Sequence, residues 1–196
     1  MAKARATARK DFVREMDTRG VPGIEVLGFS KAVFKGIFHG KEAQGAYYPM
    51  LRLRDHWLEF VDISLLTACP LDLLVQPLAF VFNDPPFTVD ALQGVDIGPV
   101  MMDPGVFKTR FTPQRSRGWF LGRGGPYRVK SGLTDTRAAA VAAQVDRLLV
   151  DFAVLDKTRK QQLAKTGVYE VALKDGELRP LRLIKKGNAE LRALLA

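Results

Sequence analysis

A single cysteine, Cys69, excludes an internal disulfide framework. Only two histidines, His39 and His56, accompany it, too few for the four Cys or His ligands that structural zinc sites usually take. Long apolar runs are also missing, and none approaches the ~20 residues a membrane-crossing helix needs. The N-terminal MAKARATARKDF is charged but has no apolar stretch behind it. It reads as neither secretory signal nor membrane anchor, so a cytoplasmic location and no membrane partner are expected. No internal repeat is present.

What is there suits a folded chain. Of 196 residues, 47% are hydrophobic and 26% charged, enough to bury a core without metals or disulfides. Residues 1–19 carry Lys3, Arg5, Arg9, Lys10, Arg14 and Arg19 with poor apolar periodicity before Phe12. They are expected to form a basic mobile arm or a loosely docked helix, leaving residues 20–196 as a single α+β domain.

Along that domain, Val21–Leu27 reads as a strand, and Ser30 as the cap of a short helix carrying Ala32, Val33, Phe34, Ile37 and Phe38. Tyr48–Arg54 and Trp57–Ile63 alternate as strands, and the apolar run to Phe82 suggests a buried strand beginning after Pro77. Thr88–Gln93 suggests one helical turn, and Val100, Met101 and Met102 a short extended segment. From Thr134 or Asp135, the spacing of Val141, Val145, Leu148, Phe152 and Leu155 predicts a long amphipathic helix. A second, basic helix is expected from Asp156 to Gly167. Asp175-Gly176 between two apolar runs predicts a hairpin, Pro180 makes its second strand an edge, and Leu191, Leu194 and Leu195 mark a closing helix. The expected fold is α+β: a mostly antiparallel central sheet covered by one long amphipathic helix, with a C-terminal hairpin and short helix.

Charge is sorted into blocks. The net charge is +9, which favours polyanionic partners. From Asp55 through Asp103 there is no Lys or Arg, while Asp55, Glu59, Asp62, Asp72, Asp84, Asp90, Asp96 and Asp103 are acidic. From Pro104 through Thr134 there is no Asp or Glu, and the bases are Lys108, Arg110, Arg115, Arg117, Arg123, Arg128 and Lys130. Phe107, Phe111, Trp119, Phe120 and Tyr127 lie among them with Gly118, Gly122, Gly124 and Gly125. Arginine pairs with phosphate through a planar fork, aromatics stack on unpaired bases, and glycine lets backbone amides approach a phosphate chain. A basic, aromatic surface over 106–130 is therefore expected to bind nucleic acid, with Trp119 and Tyr127 stacking. The same surface also suits an inhibitor or adaptor docking on an acidic protein.

No motif compels catalysis. Gly28-Phe29-Ser30-Lys31-Ala32 lacks the last glycine of a nucleophile elbow, and no His follows Ser30 in the required acid-then-His order. Gly36–Lys41 is one residue short of a phosphate-binding loop, with Glu42 where magnesium needs Ser or Thr. Gly122-Arg123-Gly124-Gly125 fails the dinucleotide pattern because Tyr127 holds the third glycine's place. Gly125-Pro126-Tyr127-Arg128 is similar to the G-x-x-R phosphate-contact element of the ParB/sulfiredoxin-like fold. The resemblance covers four residues and stops short of a family assignment. It implies an alternative, a metal-dependent nuclease or nucleotide hydrolase with Arg128 on a phosphate. Magnesium, held by acids such as Asp55, Glu59 and Asp62, belongs to that alternative alone. Otherwise no cofactor is expected, and a binding protein is favoured over an enzyme.

Overall fold

Rich in alanine and free of proline, Ala2–Glu15 forms helix α1, which runs through a π-helical turn, Met16–Gly20, into helix α2, Val21–Glu25. Phe12, Met16, Val21 and Ile24 are buried. Their spacing stays on one face because the π turn absorbs an extra residue between Met16 and Val21. The segment 1–19, expected as a mobile basic arm or a loosely docked helix, carries a docked helix, since Phe12 and Met16 favour burial over water. The strand expected at Val21–Leu27 is also corrected to helix. Gly23 lies so close to Leu149 that a Cβ there would fall 2.6 Å from its Cδ2.

This computed structural model describes residues 2–43, 45–54, 57–66, 73–83, 88–101 and 137–196. Its strands are β1 (Ser30–Lys31), β2 (Gly40–Lys41), β3 (Gly45–Tyr47), β4 (Met50–Arg54), β5 (Trp57–Leu66), β6 (Leu73–Phe82), β7 (Val168–Lys174) and β8 (Glu177–Ile184). They form one mixed sheet in the order β1-β4-β5-β6-β7-β8, with β3 also on β5 and β2 on β3. The pairings are antiparallel except for β6 and β7, which run parallel across Phe80–Phe82 and Tyr169–Val171. A parallel pair needs a long crossover, and this one includes helix α3, Gly98–Met101, and helix α4, Arg137–Thr166.

Alternation along β5 sends Trp57, Glu59, Val61 and Ile63 to one face and Leu58, Phe60, Asp62 and Ser64 to the other. On the first face, Met50, Val61 and Ile63 pack with Phe12, Met16 and Ile24 and with Val141, Val145, Leu148 and Phe152 of α4. The expectation that one helix covers the sheet is thus corrected, because α1, the π turn and α2 share that face. On the other face, Leu51, Leu58, Phe60 and Phe80 lie beneath Phe34, Leu92, Val95, Ile97 and Val100.

Other local expectations shift as well. Ser30 starts β1 rather than capping a helix, and Gly36 at φ 72 breaks the helical path that the apolar spacing suggested. Residues 98–101 are helical, not extended: the Asp96 carboxylate accepts the Gly98 N–H at 2.7 Å, and Pro99 suits a first turn. β6 runs through Pro77, where β7 does not reach, so the missing N–H interrupts no second ladder. α4 continues through Asp156 because no Gly or Pro interrupts it before Gly167.

The C-terminal hairpin forms as expected, turning at Asp175 (φ 53) and Gly176 (φ 77). β8 is an edge strand. The Leu178 N–H points outward to the Asp96 carbonyl at 2.8 Å. Two residues on, Pro180 presents the same side with no N–H, which blunts that edge against further pairing. Helix α5, Ala189–Leu195, closes the chain, with the Asn188 side chain accepting the Glu190 N–H at 2.9 Å.

Candidate nucleic-acid interface

The residues expected to contact nucleic acid, Lys108, Arg110, Arg115, Arg117, Trp119, Arg123, Tyr127, Arg128 and Lys130, lie outside the described residues. So do the G-x-x-R element, Asp55 and His56. The chain reaches this stretch from α3, whose neighbour is β8. It leaves the stretch into α4, whose Asp146 accepts from Arg19 of the π turn at 2.7 Å.

The acidic block contributes its strands to the middle of the sheet, and its described acids are not gathered into one site. Glu59 is 2% exposed. It accepts from Arg52 Nε at 2.6 Å and from Arg54 Nε at 3.1 Å. Arg52 also donates to the Leu27 carbonyl at 2.6 Å and lies 4.2 Å from the centre of the Phe29 ring. Asp62 sits on the opposite face of β5. Burial alone pushes its carboxyl up to about 6. Glu59 and Asp62 therefore cannot ligate one metal ion, as strand alternation requires. Among the described residues, no three His, Cys, Asp or Glu side chains stand close enough to hold a metal. No described helix is long and apolar enough to cross a membrane.

One cationic surface does lie within the described residues. β1 pairs with β4 through Lys31 opposite Met50, and β2 pairs with β3 through Gly40 opposite Tyr47. The two short strands thus continue the same outer edge of the sheet, and residues 32–39 leave that edge and return to it. Phe34 anchors the excursion against Phe60, with ring centres 5.9 Å apart. Lys31, Lys35 and Lys41 are exposed, and none joins a described ion pair. Phe38 is 43% exposed between them.

His39 is half-buried beside the Ala32 backbone. Burial lowers its pKa, a hydrogen bond with the Ala32 backbone opposes this, and the Lys31 charge adds to the lowering. The backbone at Gly36 (φ 72) and Gly40 (φ 93) opens onto space where an added Cβ would touch nothing. Reading 30–40 as an amphipathic helix hid this surface. The available signal was charge: from Val26 through Lys41 there is no acid. Compared with known protein families, with curated proteins and with solved structures, the chain matches none.

Proposed function

We propose that this chain is a nucleic-acid-binding accessory or regulatory protein, without catalysis of its own, that works through the basic aromatic segment 106–130. One observation carries the reading: over Pro104–Thr134 five arginines and two lysines meet no acid and alternate with aromatics and glycines. In a purely structural account, the acidic block would neutralise those arginines inside the fold. Against this, Arg52 and Arg54 of β4 already hold Glu59, the most buried described acid of that block. Arg110, Arg115, Arg117, Arg123, Arg128 and the two lysines, Lys108 and Lys130, take phosphate contacts, and Trp119 and Tyr127 stack on bases.

The test is fluorescence anisotropy with labelled single- and double-stranded DNA and RNA, at two salt concentrations, with and without magnesium. Binding is expected to weaken steeply with salt. Replacing Arg115 and Arg117 with Ala should flatten the log–log salt slope by about 1.4 to 1.8, as loss of two phosphate contacts requires. An unchanged slope removes those two residues from the interface. No binding to any of the four probes overturns the reading, and magnesium-dependent cleavage would replace it with the nuclease alternative.

A further inference from the structure

We infer that the edge lobe 31–41 is a second contact for single-stranded nucleic acid, in which Lys31, Lys35 and Lys41 meet phosphates and Phe38 stacks on a base. The inference rests on the nucleic-acid reading above but uses residues far from 106–130 in the chain.

Phe34 of the same excursion is buried against Phe60. Phe38, four residues on, has nearly half its surface in water, although turning inward would remove more apolar area. A lone exposed aromatic is ordinary. This one, however, lies in the same excursion as three exposed lysines outside the described ion pairs, over a stretch without an acid. Lys10, Lys160, Lys174, Lys185 and Lys186 are exposed elsewhere on the chain, but among the described residues no exposed aromatic accompanies them.

Geometry favours a single strand over a duplex. β1 and β2 hold Lys31 and Lys41 at the two ends of the excursion, pinned by Met50 and by Ala46. Lys35 is fixed at its crest by its N–H, which donates to the Val95 carbonyl at 2.8 Å. Three lysines and Phe38 thus share one excursion whose ends and middle are hydrogen-bonded to the fold, combining backbone-tracking charge with a stacking platform. A duplex offers no unstacked base to Phe38. The open glycines at 36 and 40 leave room for a sugar-phosphate chain to approach the backbone. The nearest acid in sequence, Glu42, lies just past Lys41, where its carbonyl accepts from Arg9 at 3.2 Å.

The experiment compares the full chain with two triple variants of equal net charge. One is Lys31→Gln/Lys35→Gln/Lys41→Gln; the other, Lys174→Gln/Lys185→Gln/Lys186→Gln, alters the opposite end of the sheet. Circular dichroism checks that each folds. With a labelled single strand, the lobe variant should flatten the salt slope by about 2, from roughly 0.7 per lost contact, and the control by clearly less. Phe38→Ala should weaken single-strand binding by about tenfold and leave the salt slope intact, with Phe38→Trp restoring affinity. Single-strand binding by the wild type with equal losses in the two triple variants, or an indifferent Phe38→Ala, overturns the lobe while sparing segment 106–130. A wild type that binds no oligonucleotide overturns both readings, and binding to polyglutamate in its place would assign the lobe to an acidic protein.

Discussion

Glu59 and Asp62 show how three residues of spacing separate two fates for a carboxylate. On β5 they face opposite sides. Glu59 meets Arg52 directly across the strand pair, whereas no opposite charge offsets the burial of Asp62. Removing one partner of a buried pair strands the other. Glu59→Gln should therefore cost about 3–5 kcal/mol in urea unfolding, and a loss under 1 kcal/mol would mean Arg52 reaches water easily. Asp62 has the opposite sign. Its folded pKa, about 6, lies above the ordinary carboxyl value of 3.8, so the folded state holds the proton more tightly. Its contribution favours folding at low pH and is lost as pH rises from about 4 to 6. Asp62→Asn should raise stability at pH 7 by roughly 1–3 kcal/mol and remove that slope, read as the wild-type minus variant difference across pH. Parallel pH curves would refute it.

At the scale of elements, chain punctuation was legible wherever a local rule operates without help. The Asp175-Gly176 turn follows from backbone geometry at the positions themselves. So does the end of α4 at Gly167, where φ is 88 and the N–H returns to the Leu163 carbonyl at 2.8 Å. A Cβ at Gly167 would also fall 2.6 Å from the Ile184 carbonyl oxygen, which is backbone and cannot swing aside. Gly167→Ala should accordingly cost more than the ~1 kcal/mol of a left-handed alanine, about 2–3 kcal/mol by thermal unfolding. A change within 0.5 kcal/mol would show that the α4–β7 junction yields. The helix expected after Ser30 and the strand expected at Val21 failed where apolar residues fit two periods over a short window. There the partner surface, Leu149 for α2 and Phe60 for residues 32–38, settles which period applies.

Across the whole molecule, the N-terminal residues belong to the core. Phe12 meets Tyr48 edge to face with ring centres 5.8 Å apart, and the Tyr48 hydroxyl donates to the Val13 carbonyl at 3.2 Å. Arg9 reaches the Glu42 and Ala43 carbonyls. Phe12→Ala should destabilise the protein by about 3–5 kcal/mol, measured by denaturant midpoint, whereas a mobile arm would make it neutral. Composition, alternation and turn residues were enough to determine the α+β class, the strands at Tyr48–Arg54 and Trp57–Ile63, the C-terminal hairpin and the charge blocks, because each is set by neighbours within a few positions. Tertiary structure alone decided that α1 docks, that β6 and β7 pair in parallel across the long crossover, that Arg52 finds Glu59, and that Lys31 and Lys41 stand on one sheet edge with residues 32–39 looping between them. Those outcomes depend on surfaces far apart in the chain, and local periodicity carries no record of which surface a face will meet.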